Sequence, residues 1–173
     1  MLHIYFGDGK GKTTAAAGLC VRYSFYGRPV FFCQFLKSAV SGEAVQLQLA
    51  GVKIYRCEKH FPFTFNMDER QRLECAVYEE RLFKEAAEAA EKKAPCLLVL
   101  DEVIDAIEEG LLAPEPVLSL AEKAARAPDG LELVMTGRRP GDVFVSLADY
   151  MTEFKKRKHP YDKGTGARKG IEF

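Results

Sequence analysis

Leu2-His3-Ile4-Tyr5-Phe6-Gly7-Asp8-Gly9-Lys10-Gly11-Lys12-Thr13-Thr14 decides how the rest of the chain is read. A short, largely apolar run passes into a glycine-rich turn, and Ala15-Ala16-Ala17 continue beyond it. The pattern predicts a buried strand, a loop and the first turn of a helix. Those three parts in that order form an anion cradle. The glycines let the backbone curl until several N–H groups face inward. A helix beginning near Lys12 turns its positive end toward the same point. Lys12 adds a full charge, and the Thr13 hydroxyl suits a magnesium ion bridging phosphates. The stretch from Gly7 to Thr14 is therefore expected to bind a nucleoside triphosphate, through Gly7, Asp8, Gly9, Lys10, Gly11, Lys12, Thr13 and Thr14. Its spacing departs from the usual G-x-x-x-x-G-K-[ST]. Counting back from Gly11 puts the first glycine position at Phe6, so the loop from Gly7 is one residue short.

The chain has 173 residues, 47% hydrophobic and 29% charged, the composition of one globular domain spanning 1–173. Its 25 basic and 25 acidic residues cancel. That balance argues against a general nucleic-acid binder, which needs excess positive charge. No apolar run approaches the ~20 residues that span a bilayer. The N-terminal residues lack a secretory pattern, so no membrane association and a cytoplasmic location are expected. Cys20, Cys33, Cys57, Cys75 and Cys96 are odd in number and show no C-x-x-C spacing. They are expected to be small buried hydrophobes rather than a zinc site or a disulfide framework.

Strand and helix patterns alternate along the chain. The first helix should stop at Gly27, and Val30–Phe35 is apolar enough for a central parallel strand. Lys37–Glu43 reads as a polar loop and Val52–Tyr55 as a short strand. Phe61-Pro62-Phe63-Thr64-Phe65 interrupts the periodic segments. Asn66 and Glu69 resemble a capping box opening a helix through Lys93, with Leu73, Val77, Leu82, Phe83, Ala86, Ala87 and Ala90 along one side. Leu97–Leu100 is a buried strand ending in Asp101-Glu102, expected to lie beside the first strand. Further helices follow to Gly110, over Pro114–Ala127 and over Val143–Leu147. Strands are expected at Leu131–Met135 and, as an edge, at Tyr150–Phe154. With the phosphate loop, this order predicts an α/β, P-loop NTPase-like (RecA-like) domain. Its mainly parallel sheet should have about five to six strands and helices on both faces.

The acid pair at a strand's C-terminal end completes a nucleotide site. Magnesium prefers hard oxygen ligands and keeps several waters, so Asp101 and Glu102 with Thr13 suffice. Arg138, beyond another strand end, can reach phosphate oxygens with its planar fork. Phe61, Phe63 and Phe65 fit either a core cluster or the wall of a pocket for a flat apolar substrate. The tail carries Lys155, Lys156, Arg157, Lys158, Lys163, Arg168 and Lys169. It reads either as a solvated basic end or as a segment folding back to close the nucleotide site. His3, inside the first strand, reads as structural.

These islands occur together and in order. They are Gly7–Ala16, Gln34-Phe35-Leu36-Lys37, Phe63-Thr64-Phe65, Leu100-Asp101-Glu102, Thr136-Gly137-Arg138, Ala148-Asp149 with Thr152-Glu153, and Lys158–Asp162 with Gly170-Ile171-Glu172-Phe173. The chain so resembles the P-loop ATP:corrinoid adenosyltransferases. The resemblance implies alkyl transfer: the Co(I) centre of a corrinoid, cobalamin or a precursor, attacks the 5′-carbon of ATP and triphosphate leaves. It implies that Gly9, Gly11, Lys12, Thr13, Thr14 and Arg138 hold the triphosphate, and that Thr13 and Glu102, with Asp101 beside them, hold Mg²⁺. It also implies that Phe63 and Phe65 keep the cobalt free of a lower ligand, which eases its reduction. Lys12, Phe63, Phe65 and Arg138 are thus the candidate catalytic residues. A reduced flavoprotein as electron donor and a homodimer are further implications.

Two features depart from the family pattern. Phe65 stands where the family's F-T-W motif has tryptophan, and the chain contains no Trp. Read from Met1, the sequence opens on the strand without the extension that covers the site in some members, so the site is expected either to be closed otherwise or to stay more open. Two readings compete with adenosyl transfer. A P-loop kinase acting on a small molecule would release ADP. A non-catalytic ATP-binding regulatory module would show no turnover.

Overall fold

The computed structural model describes residues 1–37, 41–127 and 129–171. Six strands form one sheet: β1 (Leu2–Phe6), β2 (Val30–Gln34), β3 (Lys53–Arg56), β4 (Cys96–Asp101), β5 (Leu131–Gly137) and β6 (Tyr150–Glu153). Their order is β3-β2-β4-β5-β1-β6, and every pairing is parallel. Parallel pairing needs crossovers, which the helices provide: α1 (Lys12–Ser24), α2 (Gly42–Leu49), α3 (Glu69–Glu91), α4 (Val103–Glu108), α5 (Pro114–Arg126) and α6 (Asp142–Leu147). Two short 3₁₀ turns lie at Thr64–Asn66 and Pro160–Lys163.

Side-chain alternation along the strands splits the core in two. Val30 and Phe32 of β2 join Leu97 and Val99 of β4 against Ala16, Ala17 and Cys20 of α1 and Leu47 of α2. The small alanines at the start of α1 let that helix sit close to the sheet. Phe31 and Cys33 face the other way, with Leu98 and Leu100, onto Leu82, Phe83, Ala86 and Ala90 of α3 and onto α4 and α5. A strand covered on both faces must be apolar throughout. All six residues of β4 are accordingly buried. The five cysteines are free and buried, as expected. His3 is structural: its Nε2 lies 2.9 Å from Glu132 and its ring stacks on Tyr150 at 4.5 Å.

The structure corrects several sequence expectations. β4 does not lie beside β1; β5 intervenes, pairing with both. The reason is chemical as well as topological, because Thr136 of β5 donates to Asp101 at 2.8 Å from within the sheet. The capping box of α3 is Asp68 with Gln71, not Asn66 with Glu69. Gln71 N–H donates to Asp68 at 2.8 Å, and Gln71 Oε1 accepts from Asp68 N–H at 3.0 Å. Asn66 instead ends a 3₁₀ turn. Leu73 and Val77 are exposed, because they lie on the face of α3 opposite the stripe that buries Cys75, Glu79, Leu82 and Phe83. The predicted loop before Glu43 gives way to helix α2, capped by Ser41 and anchored by Ala44 and Leu47. Ser38, Ala39 and Val40 of that loop lie outside the described residues, as do Glu172 and Phe173 of the last motif. Among the described residues no helix is long and apolar enough to cross a membrane.

Candidate active site

The loop between β1 and α1 turns at Gly7 and Gly11, with φ of 114° and 115°, values that glycine adopts without a side-chain clash. Its outer wall is the chain leaving β6. Gly9 N–H donates to the Phe154 carbonyl at 2.6 Å, Phe154 N–H donates to Phe6 at 2.7 Å, and Lys156 N–H donates to Asp8 Oδ1 at 2.9 Å. A Cβ on Gly9 would stand 2.6 Å from the Phe154 carbonyl oxygen, and one on Gly7 would overlap it. Gly7 N–H donates to the Arg138 carbonyl at 3.1 Å. The amides of Gly7 and Gly9 thus face protein, and both residues serve the site by letting the loop fit its wall. Asp8 and Lys10 lie on the outer side, where Lys10 borders a basic groove with Lys155, Arg157 and Lys158. The tail is therefore folded back on the outside of the loop.

Inside the loop, Lys12 Nζ donates to the carbonyls of Gly7 (2.7 Å) and Gly9 (3.0 Å). Burial pulls its pKa down, partly offset by Asp105. Thr13 Oγ1 donates to Asp101 at 2.9 Å. Asp101 has no exposed surface and also accepts from Thr136 at 2.8 Å and Lys37 at 2.7 Å. Glu102 follows in a left-handed conformation, φ 63°, with its N–H donated to Thr136 at 2.8 Å. That kink separates the two acids: Asp101 stays in the sheet and Glu102 faces the cleft. Burial raises the Glu102 pKa, and Lys37 at 3.1 Å works against that rise. Arg138 N–H donates to Asp105 Oδ1 at 3.1 Å, which places Arg138 beside the first turn of α4.

One cleft of about 850 Å³ joins these groups to the aromatic segment. Lys12, Thr13, Lys37, Glu102, Asp105 and Arg138 line one end; Phe61, Phe63, Phe65, Met67 and Glu79 line the other. Phe63 and Phe65 are not core: they are 75% and 80% exposed and stack parallel, centroids 5.5 Å apart. Arg72 holds their segment in place. It donates to the Thr64 carbonyl at 3.2 Å and to the Glu109 carbonyl, and pairs with the Glu109 carboxylate at 3.7 Å.

The structure thus brings Lys12, Thr13, Glu102, Arg138, Phe63 and Phe65 into one cleft, with Asp101 buried beneath it. Sequence reading missed the roles of Lys37, Arg72, Glu79 and Asp105. Lys37 stood in a motif and at a strand's C-terminal end, a signal that could have raised it. The other three lie on helices, where charged residues are ordinary.

The family model described as ATP:corrinoid adenosyltransferase BtuR/CobO/CobP matches residues 1–173. The chain belongs to that family. A corrinoid adenosyltransferase of Pseudomonas aeruginosa is 33% identical over all of this chain and 83% of its own length. The corrinoid adenosyltransferase CobA of Salmonella typhimurium is 29% identical over 98% of this chain and 84% of its own. The chain is accordingly an ATP:corrinoid adenosyltransferase, a transferase of cobalamin biosynthesis whose substrates are ATP and a corrinoid. The fold is shared more widely. The cytoplasmic domain of EssC superposes with a TM-score of 0.52 at 16% identity, covering 97% of this chain and 36% of that one. In this adenosyltransferase Lys12 and Thr13 of the glycine-rich loop share one cavity with Phe63 and Phe65.

The donor set at the phosphate end suits magnesium. Thr13 Oγ1, Asp101 and Glu102 are hard oxygens converging on one cation, the Lys37 ammonium. Among the described residues no group of three or more His, Cys, Asp and Glu gathers to hold a metal. The set fits an ion that takes one or two carboxylates and completes its shell with phosphate and water.

Proposed function

We propose that this adenosyltransferase, a single domain over residues 1–173, transfers the 5′-deoxyadenosyl group of ATP to the Co(I) centre of cobalamin or a precursor. The observation that carries the reading is the continuity of the cleft between Lys12–Thr13 and Phe63–Phe65. The cobalt nucleophile attacks C5′; a Co–C bond forms as the C5′–O bond breaks, and triphosphate leaves with the bonding pair. Lys12 and Arg138, with the amides at the start of α1, would neutralise the charge that grows on the leaving triphosphate. Thr13 and Glu102 would hold Mg²⁺, with Asp101 fixing the Thr13 hydroxyl beneath. The ion, when bound, would supply further positive charge to the phosphate oxygens. Fixing the triphosphate and the macrocycle in one cleft would set the in-line geometry.

Phe63 and Phe65 offer rings without lone pairs. A macrocycle lying against them gains no lower axial ligand, and its Co(II) state becomes easier to reduce. Phe65 in place of tryptophan keeps the apolar face and removes an N–H donor. A reduced flavoprotein would deliver the electron. Homodimer formation and a cytoplasmic location are part of the same reading.

The test is anaerobic incubation with ATP, Mg²⁺ and chemically reduced cob(I)alamin, following the corrinoid spectrum and the phosphate products together. A light-sensitive adenosylated corrinoid with equimolar triphosphate is expected. Release of ADP, or ATP binding with an unchanged corrinoid spectrum, would overturn the proposal.

A further inference from the structure

Lys37 is the feature of the cleft that the reaction does not obviously need. It follows Leu36, a non-glycine residue at φ 58°, and that turn is braced from outside. Leu36 N–H donates at 3.1 Å to Oε1 of Glu79, a carboxyl with 2% of its surface exposed on α3. A left-handed leucine is strained and persists only where its surroundings fix it. The turn directs the Lys37 side chain into the cleft. There its ammonium lies 2.7 Å from Asp101, 3.1 Å from Glu102 and 3.1 Å from Thr13 Oγ1.

We propose that Lys37 is a resident counter-ion seated in the magnesium position, excluding free divalent cations and yielding the position only to a cation arriving with a triphosphate. This rests on the reading of Thr13 and Glu102 as the metal's ligands. Without nucleotide, Asp101 and Glu102 carry two negative charges and Lys37 balances one. A free Mg²⁺ entering there must drive an ammonium from partners about 3 Å away. The repulsion is strong in a cleft of low effective dielectric. A triphosphate brings its own negative charge. Lys37 can then move a short way onto phosphate oxygens while the metal takes Thr13 and Glu102. The exchange keeps the site near charge balance throughout.

Mn²⁺ as the metal probe, counted as the metal retained with the protein on ultrafiltration so that Mn²⁺–ATP free in solution is not scored, tests this without any turnover. The wild-type protein should take up Mn²⁺ with ATP and bind Mn²⁺ alone at least ~100-fold more weakly. Lys37→Gln, which keeps a donor toward Asp101 but no charge, should bind Mn²⁺ alone about tenfold or more tightly than wild type. Lys37→Arg should keep the exclusion. Tight binding of Mn²⁺ alone by the wild type would overturn the inference with no variant needed. Equal Mn²⁺-alone affinities for wild type and Lys37→Gln, with Mn²⁺–ATP uptake intact, would overturn it while sparing the reading of the metal ligands. Failure of the wild type to take up Mn²⁺ even with ATP would overturn that reading, and the inference with it.

Discussion

Phe63 and Phe65 stand open at the cleft mouth, so truncating either removes no core contact and should leave the fold intact. If their rings act by denying cobalt a lower ligand, the loss shows in the reduction step. Phe63→Ala is expected to cut the rate with Co(II)-corrinoid and a reductant by about tenfold or more, and with pre-reduced Co(I) by less than about threefold. Parallel steady-state assays distinguish this from simple pocket shaping, which would depress both equally. Lys12 is a sharper case. Its Nζ rests on loop carbonyls 2.7 and 3.0 Å away, poised at the phosphate end. Lys12→Ala should lower kcat/KM for ATP by at least ~100-fold, and a titration of ATP binding should show the affinity falling too. Lys12, Thr13, Asp101 and Glu102 were legible in the sequence because phosphate chemistry fixes residue type and spacing along the chain. Lys37, Arg72 and Glu79 were not, because their meaning comes from partners brought together by folding. Lys37 acquires its role only from carboxylates on another strand, and Arg72 only from Glu109 on a different helix end.

The elements divide along the same line. Each strand and most helices could be read from apolar runs and turn residues, while pairing depended on contacts between distant segments. The place of β5 between β1 and β4 is such a case, since no local pattern announces the bond from Thr136 to Asp101. Helix α2 escaped notice because eight residues with only Ala44 and Leu47 buried carry little periodicity. The α3 cap was misplaced by two residues, because Asn66 and Glu69 offer the right chemistry but the 3₁₀ turn at Thr64–Asn66 occupies that backbone. This cap makes a stability prediction. Asp68→Ala removes an N-cap acceptor next to the aromatic segment and should cost about 1 kcal/mol in urea unfolding. The contact of β6 with the phosphate loop makes a functional one. Gly9→Ala forces a Cβ against the Phe154 carbonyl, so the loop must shift off its wall. ATP affinity should fall by about tenfold or more with the far-ultraviolet circular dichroism unchanged, as measured by calorimetric titration.

At the scale of the whole molecule, parallel pairing puts every ligand-bearing loop at one edge of the sheet, and α3 ties that edge to the core through a single buried acid. Glu79 bonds the Leu36 turn, while among the described residues its other oxygen has no partner and almost no exposure. Burial raises its pKa from 4.5 to about 7; the bonds from Leu36 N–H and the Cys75 thiol pull the other way, and Glu102 adds to the rise. In the unfolded chain the carboxyl loses its proton near pH 4.5, whereas the native protein keeps it up to about pH 7. Between those values the unfolded state binds fewer protons, so stability falls as pH rises. The contribution of this group is complete below pH 4.5, shrinks through the window and is gone above the native value. At 1.36 kcal/mol per pKa unit the loss is about 3 kcal/mol. Glu79→Gln keeps the acceptor for Leu36 but cannot ionise, so it lacks this slope while sharing every other titration with the wild type. The unfolding free energy of Glu79→Gln minus that of wild type should therefore rise by about 2–3 kcal/mol between pH 4.5 and pH 7.5. Urea unfolding of both proteins across that range checks it. A difference that stays constant with pH would mean that Glu79 ionises in the folded protein over the same range as in the unfolded chain, and would overturn the prediction.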